Sequence, residues 1–270
     1  MSILALWHED IRIWKASELQ EIHKTFIMDI IVKDLRKTFG EKVAVDINEL
    51  TIHSGEMLRL VGNNGAGKST LFRLILDLIK ADTGTVHMVG KVGENSVDIN
   101  VAETEEWKDW TGAFVDEGFL IDYLTPDEYF QFIARLTDTS NEQLQEFLSK
   151  FEHFMADELA GQKKLIRTLS AGNKQKVGIM AAMLLKPQVL ILDEPFNFLD
   201  PSSQNAIKHL LKKYNEETGA TILVSSHNLQ HTVDICPRIV LLEHGKVIHD
   251  IDNKEKQAQT ILENYFEIND

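Results

Sequence analysis

Gly62-Asn63-Asn64-Gly65-Ala66-Gly67-Lys68-Ser69, with Thr70 behind it, matches the pattern GxxxxGK[ST]. The short, largely apolar run 58–61 ends at Gly62, and Leu71, Leu74, Ile75 and Leu78 fall at helical spacing across 68–79. The stretch therefore reads as strand, glycine-rich loop and opening of a helix, the context in which the pattern has chemical meaning. Glycines let the backbone curl so that its N–H groups converge on phosphate oxygens, and the helix N-terminus adds partial positive charge there. Lys68 is expected to reach the β- and γ-phosphates of a nucleotide, and the Ser69 hydroxyl to ligate Mg²⁺. The alternative is a strand–helix turn with no ligand.

Downstream, Val189-Leu190-Ile191-Leu192-Asp193-Glu194 is an apolar strand ending in two acids. A strand buried on both faces exposes its last residues at the carboxyl edge of the sheet, where open α/β sheets bind ligands. Asp193 is expected to hold Mg²⁺ through water and Glu194 to polarise the attacking water. Such acids also cap helices, although Asp200-Pro201 is better placed for that. Leu169-Ser170-Ala171-Gly172-Asn173-Lys174-Gln175 opens another helical pattern with Ser170 as a natural N-cap, a second helix start suited to an anion. Read alone, it is only a cap.

The rest of the chain alternates strand and helix. Residues 30–32 and 43–52 read as β-rich, short strands surround Gly84, Gly90 and Gly93, and 221–224 is a second continuous apolar run. The fold class is α/β with a mostly parallel sheet core and an antiparallel β portion. Residues of about 118–170 interrupt it with a helical block, marked by the capping boxes Thr125-Pro126-Asp127-Glu128 and Ser140-Asn141-Glu142-Gln143. Before residue 28 lies an extension with Leu4, Trp7, Ile11, Trp14, Leu19, Ile22 and Phe26 at imperfect helical spacing. It is either an amphipathic helix or upstream of a true start at Met28. Residues 28–270 form the main domain.

Composition narrows the class. Of 270 residues, 43% are hydrophobic and 26% charged, which suits a globular core rather than disorder. The net charge of −14 argues against a nucleic-acid partner. No run approaches the roughly 20 apolar residues of a membrane span. The single cysteine, Cys236, fits a reducing compartment. A soluble, acidic, cytosolic protein is expected.

With these motifs in order, residues of about 28–250 resemble the nucleotide-binding domain of ABC ATPases, a P-loop NTPase fold. Gly62–Ser69 is similar to the family's Walker A, 169–173 to its signature and 189–194 to its Walker B. Asp200 stands at the D-loop position, His227 at that of the switch histidine, and Phe39 at that of the adenine-stacking aromatic. The segment 112–124 corresponds to the Q-loop, with Asp116 where glutamine or glutamate is usual. The resemblance thus implies ATP and Mg²⁺ as ligands. Glu194, His227 and Asp116 are the implied catalytic groups, and Ser69, Asp193 and Asp116 the implied metal ligands. The nucleotide is implied to contact Phe39, residues 62–70, Ser170, Gly172 and Asp200. Three departures stand out. Ala171 and Asn173 replace the signature's usual glycine and glutamine, and Asp116 is one carbon shorter than glutamate, so that Glu117 is an alternative. The alternative for Phe39 is a core residue. His227 and His231 have metal-ligand spacing without a third ligand, which speaks against zinc.

One Walker A and one signature per chain imply a head-to-tail homodimer or heterodimer with a second ABC domain. With no spanning segment, a transporter of this kind needs separate membrane subunits. Phe119, Leu120, Ile121, Tyr123 and Leu124 either form a dock for one of their helices or belong to the block's own core. The expectation is an exporter-type ATPase subunit, cytoplasmic and peripheral on the inner face of the membrane. A soluble ABC ATPase driving cytosolic assembly, such as iron–sulfur cluster biogenesis, is the alternative.

Overall fold

In the computed structural model, the described residues are 26–155, 159, 163–227, 235–253, 258, 260–262 and 265. The helical expectation for the N-terminal extension lies outside them, except at Phe26, which opens a strand instead. After β1 (Phe26–Phe39) the chain turns into β2 (Lys42–Ile52), then passes through β3 (Met57–Val61) into α1 (Lys68–Ile75). β4 (Thr83–Val92), β5 (Asn95–Asn100) and β6 (Thr111–Phe114) follow. The helices α2 (Pro126–Leu136), α3 (Asn141–Lys150), α4 (Glu152–Met155) and α5 (Ala171–Leu184) come next. The chain continues through β7 (Val189–Leu192), α6 (Pro201–Thr218), β8 (Thr221–Ser226), β9 (Arg238–Glu243) and β10 (Lys246–Asp252).

Two sheets result. The first is antiparallel in the order β2-β1-β4-β5. The second has the order β10-β9-β3-β8-β7-β6, parallel throughout except for β10 at the edge. Every residue of β7 and β8 is buried, as two uninterrupted apolar runs require. Because side chains alternate along a strand, Leu190 and Leu192 pack with α2 and α5, while Val189 and Ile191 pack toward α1 and the antiparallel sheet. Each such side chain contributes about 1.5–3 kcal/mol of apolar burial.

This strand order positions the chemistry. β8 lies between β3 and β7, so its carboxyl end is flanked by the loops leaving both. Residues 62–67, Asp193, Glu194 and the end of β8 therefore meet at one edge of the sheet.

Both capping boxes form: Thr125 with Glu128 and Ser140 with Gln143 accept reciprocally across the first turns of α2 and α3. α1 stops at Ile75 rather than continuing to Ile79. Asp77 takes a left-handed conformation, its N–H donates to Leu74 O, and the Leu78 N–H donates to Arg73 O at 2.8 Å. That is a Schellman ending with aspartate in the place glycine usually holds. In the segment after Asp116, Leu120 is buried, Ile121 and Leu124 pack against the helical core, and Phe119 packs against the other core. Tyr123 alone of the five is strongly exposed, and Arg167 stacks on its ring at 4.9 Å. Most of the expected dock is therefore core. Among the described residues no helix is long and apolar enough to cross a membrane.

Candidate active site

The loop between β3 and α1 is shaped by its glycines. Gly67 has φ +109, and a Cβ there would stand 2.3 Å from the Ala44 carbonyl oxygen, so no other residue fits. Gly67 also caps α1 without a side-chain hydrogen bond, and the first turn carries no acid. The first N–H groups of α1 thus face the loop with their partial positive charge uncompensated, as an anion site needs.

Lys68 is buried, and its ammonium donates to Gly62 O at 2.6 Å and Asn63 O at 3.3 Å. It also lies 3.4 Å from Oε1 of Glu194. The opposite oxygen of that carboxylate, Oε2, accepts from the His227 backbone N–H at 3.2 Å and lies 2.9 Å from His227 Nδ1. Glu194 itself is left-handed, with φ +47, an unfavourable conformation for this residue. Neighbours hold it there: the Ser225 hydroxyl is 2.7 Å from its N–H, and Gln175 Nε2 donates to its carbonyl at 3.1 Å.

Asp193 is nearly buried and hydrogen-bonds the Ser225 hydroxyl in a very short contact. Burial raises its carboxyl above the ordinary value, while hydrogen bonds from Ser225 and Ser69 act in the opposite sense. The Ser69 hydroxyl therefore lies on the side of the Asp193 carboxylate. Arg59, fully buried in β3, adds positive charge beneath the acids, and burial lowers its pKa to about 10, which leaves it charged at neutral pH.

Phe39, Asn64, Gly65, Gly67, Lys68, Ser69, Thr70 and Glu194 line one pocket of about 260 Å³, together with Lys42 and Ala44. The Phe39 ring is 53% exposed, so it is a surface aromatic at this pocket and not a core residue. An adjoining pocket of about 290 Å³ is walled by Asp116, Glu117, Ala171, Asp193, Glu194 and Phe198, among others. A larger groove of about 780 Å³ lies elsewhere, beside Arg238. That guanidinium is already paired with Asp250 and Glu56.

Other expected site residues are used differently. Asp116 caps the short turn Glu117–Phe119 by accepting from the Gly118 N–H at 2.7 Å, and faces Arg73 at 3.4 Å. It stands across the second pocket from Asp193, its oxygens committed to the turn and the guanidinium. Glu117, the alternative, pairs with Lys174 at 3.2 Å. Ser170 accepts from the Asn173 N–H as the cap of α5, and Asp200 accepts from the Ser203 N–H as the cap of α6. Gly172 gives close approach, since a Cβ there would lie 2.5 Å from the Phe198 carbonyl oxygen. Ser170, Gly172 and Asp200 do not line the phosphate-loop pocket of their own chain. His231 lies outside the described residues, among which no group of three or more His, Cys, Asp or Glu could hold a metal.

Sequence reading missed Ser225, Gln175 and Lys42. Ser225 had a signal, a hydroxyl in an otherwise apolar strand; Gln175 and Lys42 had none.

A phosphate loop and a strand-end acid pair, across an intervening strand that is followed directly by a histidine, define a nucleoside-triphosphate hydrolase. The family model described as ABC transporter matches residues 45–197. The tungstate uptake system ATP-binding protein TupC of Peptoclostridium acidaminophilum is 31% identical over 220 residues, 82% of this chain and 97% of that protein. The bacitracin transport ATP-binding protein BcrA of Enterococcus faecalis is 29% identical over 250 residues, 90% of this chain and 76% of that one. A dimeric ATP-binding cassette in a post-hydrolysis state with ADP and phosphate superposes with a TM-score of 0.69 at 26% identity, covering 83% of this chain and 99% of that one. The chain belongs to the ABC transporter family. It is the family's ATP-binding and ATP-hydrolysing component, with the α/β P-loop fold expected from sequence.

Proposed function

We propose that the chain powers a membrane transporter through separate membrane-spanning subunits, sitting on the cytoplasmic face as one half of a dimer of ABC domains. The convergence of Lys68, Asp193, Glu194 and His227 at one sheet edge, beside a pocket opened by an exposed aromatic, supports the ATPase part of this reading, and the likeness to two transport ATP-binding proteins supports the transport part. The main domain of this reading is 28–270, with the helical block of about 118–170 inserted.

The loop N–H groups and Lys68 bind the phosphates, Phe39 stacks on the base, and Thr70 walls the pocket. Glu194 accepts a proton from the attacking water, and His227 orients Glu194 and donates toward the γ-phosphate. Asp116 walls the water-side pocket. Mg²⁺ fits the donor set, because Ser69 and Asp193 offer hard oxygens on the two adjoining pockets that share Glu194. They would hold the ion, which when bound neutralises phosphate charge. Ser170, Gly172 and Asp200 do not line the chain's own phosphate-loop pocket, and in this reading they meet the nucleotide of the partner domain.

Purified protein should hydrolyse Mg-ATP, and Glu194→Gln should convert it to an ATP-dependent dimer visible by light scattering. A variant that stays monomeric at saturating ATP contradicts the dimer.

A further inference from the structure

We infer that Lys42 is a second cation for the nucleotide's polyphosphate, presented beside Phe39 by the hairpin of β1 and β2. The inference rests on the nucleotide reading of the phosphate loop and extends it to a residue outside every motif of that loop.

Phe39 and Lys42 are directly paired across the hairpin, joined by Gly40 and Glu41. Directly opposed residues of an antiparallel pair project to the same face. One hairpin tip thus offers an aromatic face and an ammonium side by side. Both line the pocket that holds Asn64, Gly65, Lys68, Ser69 and Thr70. The Lys42 Nζ comes within 3.5 Å of where a Cβ on Gly65 would stand, so it hangs over the loop whose N–H groups gather phosphate oxygens. The lysine nearest to it on β1 is already engaged: Lys37 pairs with Asp82 at 2.9 Å and lies 5.6 Å from the Phe39 ring centroid. Lys42 forms no ion pair among the described residues, and its charge is directed at the pocket instead.

The chemistry suits a nucleoside triphosphate. A chain of net charge −14 repels a polyanion at long range, so positive charge at the pocket mouth has most effect there. An ammonium acts as a compact point charge on a flexible stem and can serve any phosphate oxygen. Arginine at the same place keeps the charge, whereas glutamine loses it.

The test is equilibrium binding to the full chain, using a fluorescent ATP analogue with Mg-ATP and inorganic triphosphate as competitors at low and moderate salt. Lys42→Gln should weaken both competitors by about two- to fivefold, the range of one partly exposed charge pair. The difference should shrink as salt rises, and Lys42→Arg should bind as the wild type does. Phe39→Ala should weaken ATP and leave triphosphate unchanged. Wild-type affinity for both ligands in Lys42→Gln, with binding lost in Lys68→Ala, overturns the role of Lys42 alone. A loss confined to ATP would move Lys42 to the base side and overturn the phosphate assignment. If the wild type binds neither ligand, the nucleotide reading itself falls.

Discussion

His227 Nδ1 lies 2.9 Å from Oε2 of Glu194, whose other oxygen faces Lys68 at 3.4 Å. A single carboxylate thereby links the phosphate-loop lysine to the histidine at the end of β8. Phosphate oxygens arriving at Lys68 compete with Glu194 for the ammonium and leave the carboxylate to His227 and water. Glu194→Gln keeps the size and hydrogen-bonding capacity of the group but cannot take a proton. Its turnover should fall by about 10²–10⁴-fold while ATP binding persists. Steady-state ATPase assays beside equilibrium binding measure both, and wild-type turnover would remove Glu194 from the chemistry.

Asp193 sets stability against function. Its burial holds the proton above the ordinary carboxyl value, so the folded chain binds a proton that the unfolded chain has released. Stability should therefore decline as pH rises from the unfolded value near 3.8 through the raised folded one, and the full penalty remains at neutral pH. Asp193→Asn has no charge to desolvate and can still accept from Ser225. It should stabilise the fold at pH 7 by about 1 kcal/mol while abolishing Mg²⁺-dependent turnover. Chemical denaturation at pH 7 and pH 3 checks it: the advantage should vanish at the lower pH, and destabilisation at pH 7 contradicts the account.

Asp82 anchors the strand end that carries Phe39. Its Oδ2 accepts from both the hydroxyl and the backbone N–H of Thr38 at 2.6 Å, and Lys37 donates to Oδ1 at 2.9 Å. The Thr38 hydroxyl foremost, then Lys37 and the Thr38 N–H, hold its pKa down at about 2. The anchor is thus fully present above the unfolded carboxyl value and is lost only as pH falls from there through about 2. Asp82→Ala should loosen the Phe39 ring and weaken ATP by a few-fold at neutral pH, within the energy of one exposed hydrogen-bonded charge. Inorganic triphosphate, which has no base to stack, should bind unchanged. Equal weakening of both ligands would contradict a positioning role confined to Phe39.

Phe198 is left-handed at φ +63 and 74% exposed, so it carries backbone strain without burial in its own chain. Phe198→Gly should stabilise the monomer by about 0.5–1 kcal/mol, because relief of roughly 1–2 kcal/mol of left-handed strain exceeds the added chain entropy. Gly172→Ala should do the reverse, since its Cβ meets the Phe198 carbonyl. Thermal unfolding of the two variants tests both signs.

The sheet and its ligand edge were legible because each signal was local. Continuous apolar runs gave β7 and β8, and a glycine pattern gave the phosphate loop. Capping residues gave the starts of α2, α3, α5 and α6. What was not legible depended on partners distant in sequence or on a rare backbone state. The left-handed Asp77 shortened α1 where a glycine would have announced the stop. Asp116 occupies the expected segment, yet Arg73 and the Gly118 N–H claim its oxygens, and neither competitor shows in a spacing pattern. Ser225 joins Asp193 to Glu194 only because β8 lies next to β7. Lys42 reaches Gly65 only because the hairpin folds over the loop.

The central claim, that this ATPase drives a membrane partner, is tested most directly by recovering tagged Glu194→Gln protein from detergent-solubilised cells with and without ATP and identifying what accompanies it by mass spectrometry. A multispanning membrane protein recovered in stoichiometric amount is the predicted result. Recovery of soluble partners alone would contradict the claim and point to an ABC ATPase serving a cytosolic assembly complex.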